Sequence, residues 1–152
     1  MVTAAALDLR AVVAGVVDPE IPVLTIDDLG ILRSVGEDSG RVVVTITPTY
    51  SGCPAMRQIE DDIETALRSH GIDDFEIRVN HLPPWSTDWL TDAGVEKLAA
   101  FGIAPPVAAG EVVCPRCESP RPRLIARFGS TACKALMVCS SCGEPFDYFK
   151  QF

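Results

Sequence analysis

Cys114-x2-Cys117 and Cys139-x2-Cys142 constrain this chain more than any other feature of its sequence. Each pair turns back on itself and offers two sulfurs from a tight knuckle, so that together they close four thiolates around one ion. The segment that holds them is about 40 residues long, too small to secure a hydrophobic core, and a bound metal is the physical remedy. Zinc is the expected ion at Cys114, Cys117, Cys139 and Cys142, with an iron–sulfur cluster as the rival because four thiolates suit either. The 21 residues between the pairs have only to form a hairpin, expected from Arg123–Phe128 and Ala135–Val138. Cys133 lies outside the knuckles and reads as a small buried apolar residue.

The rest of the chain bounds the setting. Of 152 residues 47% are apolar and 22% charged, which supports one ordinary core and a soluble, globular protein. The apolar run Ala11–Val17 is too short to span a bilayer, and Asp8 and Arg10 stand where a signal peptide needs apolar residues. A cytoplasmic protein with reduced thiols is therefore expected, favouring metal over disulfides for the paired cysteines. Residues 1–110 carry 7 Lys/Arg against 17 Asp/Glu, whereas residues 111–152 carry 6 against 4. Neither part offers a strong field for nucleic acid.

Pattern along the chain predicts an α/β (α+β) fold, a small mixed sheet with helices packed on it, followed by a zinc-ribbon-like β appendage. Leu9, Val12, Val13 and Val16 recur at helical spacing within residues 4–17, stopping at Asp18-Pro19. Ile31–Val35 and Arg41–Thr47 read as a hairpin across Gly36–Gly40. A helix beginning at Pro54 buries Ala55, Met56, Ile59, Ile63, Ala66 and Leu67; Phe75–Val79 is a third strand, and Thr91–Phe101 a helix with Val95, Leu98 and Ala99 inward. Domains are expected at 1–104 and 114–152, joined by a linker at 105–113 bracketed by Pro105, Pro106 and Gly110.

Cys53 needs an explanation of its own. It lies in Thr47-Pro-Thr-Tyr-Ser-Gly-Cys-Pro-Ala-Met56, at the start of a predicted helix, where unpaired N–H groups and the dipole are expected to lower its pKa. One thiolate cannot hold an iron–sulfur cluster, so cluster binding requires a homodimer presenting two copies or other ligands. Asp18, Glu20 and Asp28 are the candidates, though turn formation explains such acids equally well. His81 reads as a surface or hydrogen-bonded histidine and His70 as a helix C-terminal charge, Trp85 and Trp89 as core or interface anchors, and Ser86, Thr87 or Asp88 as a cap for the following helix. No complete catalytic constellation is present, and no phosphate loop, nucleophile elbow or His-Glu-x-x-His motif.

Taken together, several segments resemble known families. Asp18-Pro-Glu-Ile-Pro22, Ile26-Asp-Asp-Leu-Gly30 and the Cys53 loop resemble the iron–sulfur assembly domain of SufT-type maturation proteins. Pro84-Trp-Ser-Thr-Asp-Trp89, Gly102-Ile-Ala-Pro-Pro106, Phe128–Leu136 and Cys139-Ser-Ser-Cys-Gly-Glu-Pro-Phe-Asp-Tyr-Phe149 resemble the PaaD family, small accessory proteins of the phenylacetyl-CoA epoxidase system. The resemblance implies an assembly domain with a metal-binding tail and a role in maturing the metal centres of the epoxidase, with its oxygenase and reductase subunits as partners. It implies Cys53 as the contact for a transient cluster or iron and Asp18 and Glu20 as the family's acidic motif, and a non-catalytic maturation factor is the leading expectation. Met137 departs from the aromatic residue many relatives carry, and the chain ends at Gln151-Phe152 without the further cysteine of some.

Three other functions compete. One is a structural subunit of the epoxidase that uses the ribbon as a docking surface. Another is a zinc-ribbon nucleic-acid binder drawing on Arg116, Arg121, Arg123 and Arg127. The third is a thiol enzyme with Cys53 as nucleophile, for which the nearby sequence lacks a general base.

Overall fold

The computed structural model describes residues 8–152, and the expected helical stretch at 4–7 lies outside them. Two compact units divide the chain, one ending at Pro84 and one running from Trp85 to Phe152.

In the first unit, α1 (Leu9–Ala14) is capped by Asp8, whose carboxylate accepts the Ala11 N–H at 3.2 Å. It ends three residues earlier than the sequence spacing predicts, because Val17 leaves the helix to bridge Thr25. Strands β1 (Leu32–Asp38) and β2 (Arg41–Ile46) form the expected hairpin. Its turn is tighter than the sequence suggests: Ser39 and Gly40 both adopt positive φ, the conformation that matches the twist of two paired strands. Helix α2 (Ala55–Ser69) then crosses to β3 (Phe75–Val79), which lies parallel to β2 and completes a sheet in the order β1-β2-β3. Ile59, Ile63 and Leu67 follow one another at helical spacing and are fully buried. Each contributes about 1.5–3 kcal/mol of apolar burial.

This topology sets the position of the Cys53 loop. Leu32 pairs with Ile46, and the Thr47 N–H donates to the Ile31 carbonyl at 2.9 Å, so the chain entering β1 and the chain leaving β2 meet at one end of the sheet. The acidic loop 18–30 precedes β1 and the Cys53 loop follows β2.

The second unit contains α3 (Asp92–Ala100) and a sheet of β4 (Ile103–Ala104), β7 (Pro145–Phe149), β6 (Lys134–Cys139) and β5 (Pro122–Ala126), in that spatial order. The hairpin of β5 and β6 occurs where the sequence predicts it; β4, for which the sequence pattern contains no signal, runs parallel to β7. The first domain is expected from sequence to run to residue 104, whereas the contacts place residues 85–104 in the second unit. Two interactions account for the difference: β4 pairs with β7, and the Trp85 ring lies 6.0 Å from Phe149 and 6.1 Å from Phe152. Thr91 caps α3 by accepting the Gly94 N–H, while Ser86 caps only a short 3-10 turn at Thr87–Trp89. Gly94 and Leu98 face inward; Ala99, expected there, is exposed.

One sheet face packs Ala135, Met137, Phe146 and Tyr148 against Val107, Val112 and Cys114 of the segment that runs into the first knuckle. The other face buries Lys134, whose ammonium lies 3.6 Å from Asp147. That pair also explains Gly129. A Cβ there would come within 2.8 Å of the Asp147 Oδ1, so a larger residue would push that carboxylate from its place beside Lys134.

Candidate functional sites

Cys53 is half-buried, one residue before Pro54 and two before the first residue of α2. Gly52 precedes it with φ +77°, a left-handed conformation that glycine adopts at little cost and that turns the loop toward the helix. The loop is held by the Cys53 N–H donating to the Tyr50 carbonyl at 3.3 Å and the Met56 N–H donating to the Cys53 carbonyl at 3.2 Å.

The expectation of a lowered thiol pKa is corrected by the structure. Burial pushes the Cys53 thiol up, and the negative charge of Glu20 adds to the effect. The Ala55 N–H at the helix start and the Tyr50 and Thr49 hydroxyls stabilise the thiolate, but these hydrogen bonds do not overcome the loss of water. The helix start therefore does supply a favourable donor; desolvation outweighs it. Sequence reasoning does not single out Tyr50 and Thr49, although both stand in the motif around Cys53.

Glu20 is brought into electrostatic reach of Cys53, as the topology requires. Asp18 does something different. Its buried Oδ1 accepts the N–H groups of Glu20 at 2.7 Å and Ile21 at 3.0 Å, forming the turn that presents Glu20. Asp28 and Thr25 exchange hydrogen bonds, each side chain accepting the other's N–H at 3.0 Å, which closes the next turn of the loop. His81 is exposed, and His70 caps the C-terminus of α2.

The second site joins two loops of the ribbon. Cys114 and Cys117 precede β5, and Cys139 and Cys142 span the turn between β6 and β7. All four sulfurs lie within 4.8 Å of one another, with Cys114–Cys142 at 3.8 Å and Cys117–Cys139 at 3.5 Å. Sulfurs bound at about 2.3 Å to one tetrahedral ion lie about 3.8 Å apart, so the donor set fits a single ion. The separations are far too long for a disulfide, whose sulfurs lie about 2.05 Å apart. Within each knuckle two backbone N–H groups point at the first sulfur: Arg116 and Cys117 at Cys114 (3.4 and 3.5 Å), Ser141 and Cys142 at Cys139 (3.4 and 3.5 Å). Such donors favour thiolate. At Cys139 the N–H of Cys142 leads in bringing the thiol down to about 6, with the N–H of Ser141 and neighbouring thiols assisting against burial. At Cys117 the Ser119 N–H pulls down, but burial and the surrounding thiols Cys139, Cys142 and Cys114 raise it to about 12. Four crowded sulfurs cannot all ionise without a cation among them. Cys133 is buried, its sulfur 3.0 Å from the Thr131 hydroxyl, and is not among the four.

Comparison with known proteins divides along the same lines. Residues 8–79 match the family model of an iron–sulfur cluster assembly protein, and residues 104–150 match the PaaD zinc beta ribbon domain. A relative from Escherichia coli K12, described as a putative subunit of 1,2-phenylacetyl-CoA epoxidase, is 45% identical over 94% of this chain and 91% of its own length. The chain belongs to the PaaD family. Its assembly-type part also resembles the Fe-S protein maturation auxiliary factor SufT of Staphylococcus aureus, 36% identical over 50% of this chain and 88% of that protein. Among solved structures, a domain of unknown function from Bacillus anthracis superposes with a TM-score of 0.55 at 31% identity, covering 59% of this chain and 87% of the domain. The α/β assembly fold and the cysteine-rich ribbon of the PaaD family are thus both present. Among the described residues no helix is long and apolar enough to cross a membrane.

Proposed function

We propose that this PaaD-family chain is a non-catalytic maturation factor that supplies an iron–sulfur cluster or iron to the phenylacetyl-CoA epoxidase system. The observation that carries the proposal is the position of Cys53 within electrostatic reach of Glu20 in the part that matches the iron–sulfur assembly family. A free thiol kept protonated by burial and by Glu20 is shielded from adventitious chemistry. An arriving iron centre reverses the balance, because its positive charge favours thiolate and is itself attracted by Glu20. The Ala55 N–H and the Tyr50 and Thr49 hydroxyls are then already aimed at the sulfur that becomes charged. Asp18 acts by shaping the turn that holds Glu20. One sulfur makes a transfer contact rather than a closed site, which suits passage of a cargo.

Cys114, Cys117, Cys139 and Cys142 would hold zinc, whose contribution when bound is folding free energy for the ribbon. The close approach of the four sulfurs favours one ion over a cluster, in which several irons hold the ligands farther apart. No disulfide joins any of the six cysteines, which suits a reducing cytoplasmic setting.

The test is Cys53→Ser in cells co-expressing the epoxidase oxygenase and reductase components. Client iron content and epoxidase activity fall while zinc in this chain is retained; unchanged client iron removes the role of Cys53. That the E. coli relative is described as an epoxidase subunit favours a second reading, a structural component of the epoxidase complex. On that reading the chain co-purifies stoichiometrically with the oxygenase, and Cys53→Ser changes nothing.

A further inference from the structure

The ribbon sheet ends in an unusual edge. Strand β5 has a neighbour only in β6, and its other side meets no strand among the described residues. Such edges are ordinarily blunted with polar side chains. Here Leu124 is 51% exposed, Ile125 49% and, just beyond the strand, Phe128 67%. Beside them lies a groove of about 510 Å³, whose apolar wall includes Leu124, Phe128, Met137 and Tyr148 and whose rim carries Arg127 and Lys150. Lys150 is fixed in place: its ammonium donates to the Arg127 carbonyl at 3.0 Å and stands 4.3 Å over the Phe128 ring.

Charge selects the occupant. From Ser119 to Cys133 the sequence contains Arg121, Arg123 and Arg127 and no carboxylate. Pairing the β5 edges of two copies would set these arginines against their equivalents, which disfavours the self-association that an exposed apolar edge otherwise invites. Nucleic acid would meet the arginines but would leave Leu124, Ile125 and the groove wall without a matching surface. A polypeptide with large apolar side chains and carboxylates satisfies both features, and an extended one satisfies the unpaired strand edge as well.

We infer that the β5 edge and its groove form the docking surface for an extended acidic and apolar segment of a partner protein. Resting on the maturation reading, the partner is an oxygenase or reductase component of the epoxidase, so the ribbon supplies client contact while the Cys53 loop handles the metal.

The test uses the full chain with zinc bound, and oxygenase and reductase components purified separately. Affinity for each is measured by biolayer interferometry for wild type, Leu124→Asp/Phe128→Asp and Arg127→Glu. These side chains are exposed, and zinc content with the circular dichroism spectrum confirms that the variants are folded. At least one component binds the wild type; the double variant weakens that binding by about tenfold or more, and Arg127→Glu weakens it and flattens its dependence on salt. Hydrogen exchange at residues 122–128 slows when the component is added. Absence of binding to either component, wild-type affinity in both variants, or binding without slowed exchange overturns the inference. So does dimerisation of the chain abolished by Leu124→Asp, which assigns the edge to a second copy, or nucleic-acid binding lost in Arg127→Glu without component binding. The two proposals fail separately. Docking variants at wild-type affinity, with client iron lost in Cys53→Ser, remove the docking surface alone; the reverse pattern removes the maturation role alone.

Discussion

At the level of single residues, Cys53 shows how two opposing effects act on one sulfur. Donors at the start of α2 and from Tyr50 and Thr49 favour the thiolate, while burial and Glu20 favour the thiol and prevail. The pH profile of Cys53 alkylation by iodoacetamide, followed by peptide mass spectrometry, is therefore expected to lie at higher pH than that of an ordinary exposed cysteine. Removing the charge in Glu20→Gln moves the midpoint to lower pH, because a negative neighbour opposes ionisation. A midpoint at or below that of an ordinary exposed cysteine in the wild type, or no movement in Glu20→Gln, contradicts this account. From sequence, the position of Cys53 at a helix start is legible in Pro54 and the apolar spacing after it. The direction of its pKa is not, because burial depends on the loops that fold over it, whereas the dipole depends only on the local helix. Asp18 likewise reads as either a ligand or a turn former until its hydrogen bonds to the Glu20 and Ile21 N–H groups are seen.

Among the elements, the two halves of the chain obtain their order by different means. Helix α2 has a continuous buried stripe, Ile59, Ile63 and Leu67, that the 3.6-residue period makes evident. The ribbon strand β5 has almost no buried surface, and its register depends on β6 and on the two cysteine knuckles that meet at its Pro122 end. Cys139→Ser is accordingly expected to abolish stoichiometric metal binding and to release the slow-exchanging amides of β5, β6 and β7, observable by hydrogen-exchange mass spectrometry. Retained protection without metal would show that packing alone holds the sheet. Strand β4 is invisible in the sequence because two residues, Ile103 and Ala104, show no period. Their strand character comes from β7, which is about 40 residues away in the chain. Ala99 departs from its expected inward position for a related reason: a nine-residue helix with alanines on several sides leaves its inward face to be chosen by its neighbours.

For the whole molecule, the uneven distribution of cysteines becomes a division of labour. One sulfur in the assembly-type unit lies within electrostatic reach of a carboxylate, and four in the ribbon converge on one point. Metal analysis with sulfide determination on the purified chain is expected to give one zinc and no sulfide from the ribbon. Cys133→Ser leaves that stoichiometry unchanged and Cys114→Ser removes it. Sulfide in proportion to iron at the ribbon, or zinc lost with Cys133, would require a different ligand set. Residue type and spacing were enough to establish the chemistry available: four thiolates in paired knuckles, a lone cysteine after a strand, an acidic first part and a basic hairpin. None of these needs knowledge of distant contacts. Where that chemistry operates followed only from the three-dimensional fold. Antiparallel pairing of Leu32 with Ile46 brought the acidic loop to the Cys53 end of the sheet, burial reversed the expected sign at the thiol, and the parallel pairing of β4 with β7 drew residues 85–104 into the ribbon unit. Each depends on contacts between residues far apart in the chain, for which local pattern contains no signal.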